Sequence, residues 1–305
     1  MSGPIPDYEL TRCKLATGVE LDAVDVGPRD APVLIFLHGF PESHRTWRHE
    51  IEHFRDRFRC IAPDQRGYRG SSRPQAVEAY AADKLVGDVF ALADACGVDK
   101  FTVVGHDWGG AIAWGVALMG QGAEGTGGRV ERLVIANAPH PWLYQRALIE
   151  SPEQRASAQY IRAFRDPGND ALVREYGLVG LLAKAVKWER STGMPDAERD
   201  RLLADWQDRD AAFGMLNWYR ASAVVVPAMD MDAPMPEFAR RDFPKVTIPT
   251  LVIWALDDLA LPPVNIEGMD KLVTDMTLAK VPGSGHFVPW EAPDRVIEAM
   301  KGFLG

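Results

Sequence analysis

Basic residues are outnumbered in this chain, with 34 lysines and arginines against 43 aspartates and glutamates in 305 residues and a net charge of −9. They gather nowhere into a stripe. Without a basic face to meet phosphates, a nucleic-acid partner is excluded. Long apolar runs are also missing, since none approaches the roughly 18 residues that span a bilayer. The opening "MSGPIPDYEL" lacks the charged start and apolar run of a signal peptide. A cytoplasmic protein with no membrane partner is expected. Cysteine is scarce: Cys13, Cys60 and Cys96 are odd in number, far apart and without CxxC spacing. Neither a disulfide framework nor a zinc site is expected, and Cys60 in "FRCIAP" reads as a small core residue. No internal repeat occurs, and "GQGAEGTGG" reads as a flexible surface loop.

What is present suits a large α/β domain with an insertion, at 47% hydrophobic and 25% charged residues. Four apolar runs end in loop-forming residues: "PVLIFLHGFP", "FRCIAPDQRGY", "FTVVGHD" and "RLVIANAPH". Each reads as a buried parallel strand delivering a loop at its C-terminal end. "AYAADKLVGDVFALADACGV" has helical spacing, with Gly97 as its stop. After the insertion come "PTLVIWALDD", a helix near Ile266 to Val273, "MTLAKVPGSGH" and a last helix "PDRVIEAMKGFL". Alternating strands and helices predict right-handed crossovers and a mostly parallel, doubly wound sheet.

The insertion carries helix signals without convincing strands. "SPEQRASAQYIRAF" begins with Ser151 at an N-cap and Pro152 at the first helical position; "MPDAERDRLLADW" and "DAAFGMLNWYRAS" read as further helices. The expected organisation is core residues 1–139, a helical cap over 140–245 and the second core part, 246–305. The cap would roof the crevice at the strand C-termini.

In "GHDWGG", Gly105 and Gly109 permit a tight strand-to-helix turn that pushes the central side chain, Asp107, into the crevice. The alternative role for this aspartate is a helix N-cap. An elbow nucleophile needs an acid and then a histidine later in the chain, both in loops after strands. "WALDDLALPP" offers Asp257 and Asp258, and "GSGHFVPWEAP" offers His286 in a glycine-bounded loop. His106 and His38 read as packing or loop-orienting groups, and His44, His49 and His53 as solvated. In "HGFP" the Phe40 N–H, with that of Trp108, could form an oxyanion hole.

With these motifs the chain resembles the α/β-hydrolase fold epoxide hydrolases, from about residue 30 to the C-terminus. The resemblance extends into the insertion. "LNWYRAS" places Tyr219 as the second cap tyrosine, and "YIRAFRDPG" places Tyr160 as the first, with Tyr144 and Tyr176 as substitutes. The match of "LALPP" to the family's loop favours Asp258 over Asp257 as the acid. The resemblance implies a hydrolase in which Asp107 opens an apolar epoxide to form an alkyl ester. Tyr160 and Tyr219 would activate the ring oxygen, and His286 with Asp258 would activate the water that releases a vicinal diol. Phe40, Trp108, Phe164 and Phe287 would line the substrate pocket, with Trp142, Trp188 and Trp218 as further aromatics near it. No metal or organic cofactor is implied, the partners are the epoxide and water, and a homodimer is left open.

A haloalkane dehalogenase shares the fold, the Asp elbow and the following Trp, but commonly has Asn where Phe40 stands and needs no cap tyrosines. A fluoroacetate dehalogenase would place arginines where Trp108 and Ala111 stand. A serine esterase is excluded by Asp107. A ligand-binding protein on a hydrolase scaffold is a further alternative.

Overall fold

The computed structural model describes residues 7–122, 127–185 and 194–305. Trp188 and the middle of "GQGAEGTGG" lie outside the described residues.

One eight-stranded sheet runs through the protein in the order β1-β2-β4-β3-β5-β6-β7-β8. The strands are β1 (Thr11–Lys14), β2 (Glu20–Val26), β3 (Val33–Leu37), β4 (Arg59–Pro63), β5 (Phe101–His106), β6 (Val130–Ala136), β7 (Thr250–Ala255) and β8 (Met276–Val281). The pairs β1–β2 and β2–β4 are antiparallel, and every later pair is parallel. Strand β3, VLIFL, has no polar residue because both its faces are covered. Leu34 and Phe36 share one apolar cluster with Ile51 and Phe54 of α1 (Arg48–Phe54) and Val296 and Met300 of α12 (Pro293–Leu304). Ile35 and Leu37, pointing the other way, join Leu85 and Val89 of α2 (Ala82–Ala95) and Ile112 and Val116 of α3 (Asp107–Gly120). Leu34, Ile35, Phe36 and Leu37 are fully buried, each contributing roughly 1.5–3 kcal/mol. The mostly parallel, doubly wound sheet expected from the alternating runs is what forms.

The six strands read from apolar runs are all present, while β1 and β2 gave no such signal. Strand β1, TRCK, buries only its cysteine, and β2, ELDAVDV, alternates acidic residues with apolar ones. The helix expected near Ile266 to Val273 is absent. Two 3-10 turns, Pro263–Ile266 and Met269–Lys271, stand there, separated by Gly268 in the left-handed region at φ 77°. His44 is also not solvated: it is buried, and its Nδ1 lies 2.9 Å from Asp64 Oδ1. His49 and His53 are half-buried, His49 with its pKa pushed down to about 4 by burial and by Arg48.

Between β6 and β7 the described residues hold helices and no strand: α4 (Pro141–Glu150), α5 (Pro152–Ser157), α6 (Gln159–Arg165), α7 (Asp170–Tyr176), α8 (Leu178–Ala185), α9 (Asp196–Gln207), α10 (Arg209–Ala221) and α11 (Glu237–Arg240). Ser151 caps α5 by accepting from Gln154 N, with Pro152 at its start. The segment read as one helix breaks at Ala158, whose φ/ψ of −95°/2° separates α5 from α6. Helices α9 and α10 are tied to the sheet domain by charge pairs: Arg69–Asp205 at 2.8 Å and Arg73–Asp208 at 2.6 Å. Indole donors reinforce this, from Trp206 to the Pro41 carbonyl at 2.7 Å and from Trp218 to that of Arg66 at 2.8 Å. Among the described residues, no helix is long and apolar enough to cross a membrane.

Candidate active site

The loops that follow β3, β5, β6, β7 and β8 meet at one edge of the sheet, where parallel strands deliver their C-terminal ends. Asp107 comes directly after β5, with its backbone in the left-handed region at φ 50°. For a side chain other than glycine this conformation is strained. The turn is possible because its neighbours have no Cβ. One at Gly105 would strike the Gly109 backbone, and one at Gly109 the Leu37 and His38 carbonyls. The N-cap position of α3 belongs to His106, and the Asp107 carboxylate instead reaches across to accept the Phe40 N–H at 2.7 Å. Phe40 precedes Pro41 through a cis peptide bond.

His286, in the loop after β8, faces two carboxylates. Its Nδ1 is 2.8 Å from Asp258 Oδ2, and its Nε2 is 3.5 Å from Asp107 Oδ2. Burial works against a charge on the ring, but Asp258 and Asp107 outweigh it and hold the imidazolium well above the ordinary histidine value. Burial likewise works to raise the Asp107 carboxyl. His286, the neighbouring His106 and the Phe40 N–H overcome it and keep that group below the usual aspartate range. The resting arrangement is therefore carboxylate, imidazolium, carboxylate.

Of the two adjacent acids, Asp258 is the one that meets His286. It is buried, and its Oδ1 accepts from the N–H groups of Ala260 at 2.8 Å and Leu261 at 2.9 Å. Asp257 is exposed, on the cavity rim.

Above Asp107 and His286 lies a cavity of about 710 Å³. Phe40, Phe164 and Phe287 line it, and so do Tyr160 and Tyr219 from α6 and α10. Tyr219 meets Phe40 edge to face at 4.9 Å, Phe164 at 5.0 Å and Tyr160 at 6.1 Å. Burial, a neighbouring phenol (Tyr144 for Tyr160, Tyr160 for Tyr219) and the Asp107 charge raise both tyrosines well above the ordinary phenol value. Both remain protonated donors at neutral pH.

Tyr144 is not on the cavity wall, though burial and the charges of Asp107 and Asp258 raise its pKa; Tyr176 is on the surface. Trp108 is outside the cavity lining, with its indole edge to face with Tyr219 at 5.1 Å. Trp218 packs behind it at 5.9 Å, and Trp142 bonds the Arg241 carbonyl, so neither lines the cavity.

Three supporting residues had no role in the sequence reading. Asn137, just past β6, donates to Asp258 Oδ2 at 2.7 Å. Glu42 accepts the Trp290 indole N–H at 2.6 Å and lies 3.1 Å from His106 Nδ1, while His106 Nε2 donates to the His286 carbonyl at 2.7 Å. The loop-orienting role expected of His106 thus has a defined partner on each side. Glu291 accepts from Gly285 N at 2.6 Å and Phe287 N at 3.2 Å, bracketing His286. The available signals were positional: Glu42 follows "HGFP", and Asn137 ends a strand run.

The α/β hydrolase fold family matches residues 32–293. Epoxide hydrolase 1 of Caenorhabditis elegans is 30% identical over 295 residues, covering 94% of this chain and 68% of the worm protein. A solved structure described among novel epoxide hydrolases of the α/β hydrolase superfamily, from metagenomes of hot environments, is 62% identical. It covers 98% of this chain and 99% of its own, with a TM-score of 0.92. The Bacillus megaterium epoxide hydrolase, solved with an inhibitor, is 26% identical with a TM-score of 0.82, covering 96% and 99%.

Proposed function

The chain belongs to the epoxide hydrolases of the α/β-hydrolase fold, and on that premise we propose that it hydrolyses an apolar epoxide to a vicinal diol through an ester on Asp107. The observation that carries this reading is a carboxylate 3.5 Å from a histidine that a second carboxylate holds, under a cavity roofed by two tyrosines.

Displacing a leaving group from saturated carbon needs a nucleophile that is already anionic, and the lowered Asp107 pKa supplies one. The Asp107 carboxylate attacks a ring carbon and the C–O bond breaks. Tyr160 and Tyr219 donate to the departing oxygen, which is a poor leaving group without a proton. Bonding to carbon removes the negative charge that faced His286 Nε2. One of the two carboxylates holding the imidazolium proton is lost, so the ring gives that proton to the alkoxide formed on ring opening, by way of the phenols that first donated to it; the opened oxygen becomes a hydroxyl, the phenols stay protonated and His286 becomes a base. Neutral His286, oriented by Asp258, takes a proton from water attacking the ester carbonyl. The Phe40 N–H, 2.7 Å from Asp107 Oδ1, and the Trp108 N–H in the first turn of α3 stabilise the oxyanion. The diol leaves and the carboxylate is restored. This chemistry calls for no metal or organic cofactor, and the aromatic lining favours an apolar substrate.

Product analysis with styrene oxide and butyl bromide side by side tests the reaction class. Diol formation without bromide release is expected; bromide release without diol would assign the nucleophile to dehalogenation, and binding of either compound without product would leave a receptor.

A further inference from the structure

Tyr219 stands two residues before the C-terminal end of α10, where the last four carbonyls of a helix have no N–H of their own helix to meet. Arg165, the last residue of α6, crosses to that end. Its Nε donates to the Tyr219 carbonyl at 2.8 Å, its Nη1 to that of Val224 at 2.7 Å and its Nη2 to that of Ser222 at 3.3 Å. Arg220 makes the reverse crossing. Its Nε donates to the Phe164 carbonyl in the last turn of α6 at 3.2 Å, and its Nη2 bonds Asp170 at 2.5 Å. Each helix that carries a roof tyrosine is thus capped by an arginine of the other. Two helix C-termini, each bearing roughly half a negative charge, repel where they meet, and a guanidinium at each offsets this.

The same side of α6 also holds the chain that leaves α10. Gln159 Nε2 donates to the Pro227 carbonyl at 3.0 Å and Arg162 Nη1 to that of Val226 at 3.2 Å. Gln159, Arg162 and Arg165 recur at helical spacing, while Tyr160 and Phe164, four residues apart, face the cavity. Neither Arg165 nor Arg220 is on the cavity wall.

We propose that Arg165 and Arg220 are positioning residues for ring opening: by capping each other's helix they hold the Tyr160 and Tyr219 phenols together above Asp107, so that both donate to one departing oxygen. This rests on the epoxide-opening role of the two tyrosines.

An epoxide has a single oxygen, so two donors serve it together only if their placement is held to roughly 0.5 Å. The 6.1 Å contact between the Tyr160 and Tyr219 rings joins two cap helices, and its spacing has to be fixed within the cap. A planar guanidinium that reaches three carbonyls at once does this in a way that a lysine cannot. Ester hydrolysis relies on His286, Asp258 and the N–H groups of Phe40 and Trp108, which belong to the sheet domain and not to the capped helices.

The test reads alkylation directly. In the full chain carrying His286→Gln the ester persists, so the rate at which intact mass gains one styrene oxide is the rate of ring opening. Adding Arg165→Met should slow that gain by roughly 10–100-fold, and Arg165→Lys, which keeps the charge and loses the fork, should lie between. Tyr219→Phe supplies the coupling: with that phenol gone, Arg165→Met should slow the gain by less than about threefold. A role in stability alone would lower Tm and leave the rate unchanged, and an action unconnected with the tyrosine would make the two losses multiply; either result overturns the proposal. If the Met variant fails to fold, Arg165→Lys carries the same cycle. No mass gain in the His286→Gln chain itself would overturn the epoxide-opening reading and this proposal with it, whereas a gain that Arg165→Met leaves unchanged overturns the proposal alone.

Discussion

Asn137 donates its side-chain N–H to Asp258 Oδ2 at 2.7 Å, from a left-handed backbone at φ 40°. Its side-chain oxygen accepts the Ala255 N–H at 2.8 Å, so the amide is fixed at both ends. The loop after β6 thereby aims an acid that belongs to the loop after β7.

This fixes a contrast between neighbouring acids. Asp258→Asn should lower turnover by roughly 10²–10⁴-fold, because the histidine loses its orienting charge, whereas Asp257→Asn should stay near the parent rate. Asn137→Ala should fall between them, at a loss on the order of tenfold, through one hydrogen bond to the carboxylate. Steady-state kinetics on one epoxide checks all three, and a larger loss from Asp257→Asn would move the acid by one residue.

Tyr219→Phe removes a donor that ring opening needs and ester hydrolysis does not. Stopped-flow measurement, with Trp108 only 5.1 Å from that ring as the fluorescent reporter, should show ring opening slowed by roughly 10²-fold. The hydrolytic step should change little. Unchanged ring opening would take Tyr219 out of the mechanism.

The charge on His286 should depend on the charge of Asp107. Asp107 and Asp258 raise the imidazolium pKa well above its ordinary value, and Asp107→Asn mimics the neutral ester. The histidine pKa, followed by ¹⁵N resonances, should move downward in that variant. An unmoved titration would mean that ester formation does not switch His286 into a base.

Glu50 lies far from this chemistry yet should shape the pH dependence of stability. It is fully buried in α1, neither carboxylate oxygen has a partner among the described residues, and burial raises its pKa from 4.5 to about 8. Between those values the folded state holds one more proton than the unfolded state, so stability falls as pH rises through that window. Glu50→Gln should remove this loss. Urea denaturation from about pH 5 to pH 9 should show the parent losing stability relative to the variant; parallel curves would contradict the burial effect.

The parallel half of the sheet was legible because strands buried on both faces must be written as unbroken apolar runs, as in VLIFL and TLVIWA. Strands β1 and β2 were not: β1 lies at the sheet edge and buries only its cysteine, and β2, although paired on both sides, alternates acidic residues with apolar ones. The elbow was legible for a steric reason: only glycine fits beside Asp107 at Gly105 and Gly109. Choosing Asp258 over Asp257 took a resemblance, because adjacent acids at a strand end look alike until the chain's course buries one of them. Asn137 and Glu42 were beyond reach, since each works through a partner far away in sequence.

The ester on Asp107 is the central claim, and intact-protein mass of His286→Gln after exposure to styrene oxide tests it most directly. With the nucleophile intact and the base removed, the ester should form and persist, seen as a mass increase of one substrate that maps to the peptide carrying Asp107. Full activity in this variant, or an unmodified mass under conditions where the epoxide binds, would contradict a covalent route through Asp107.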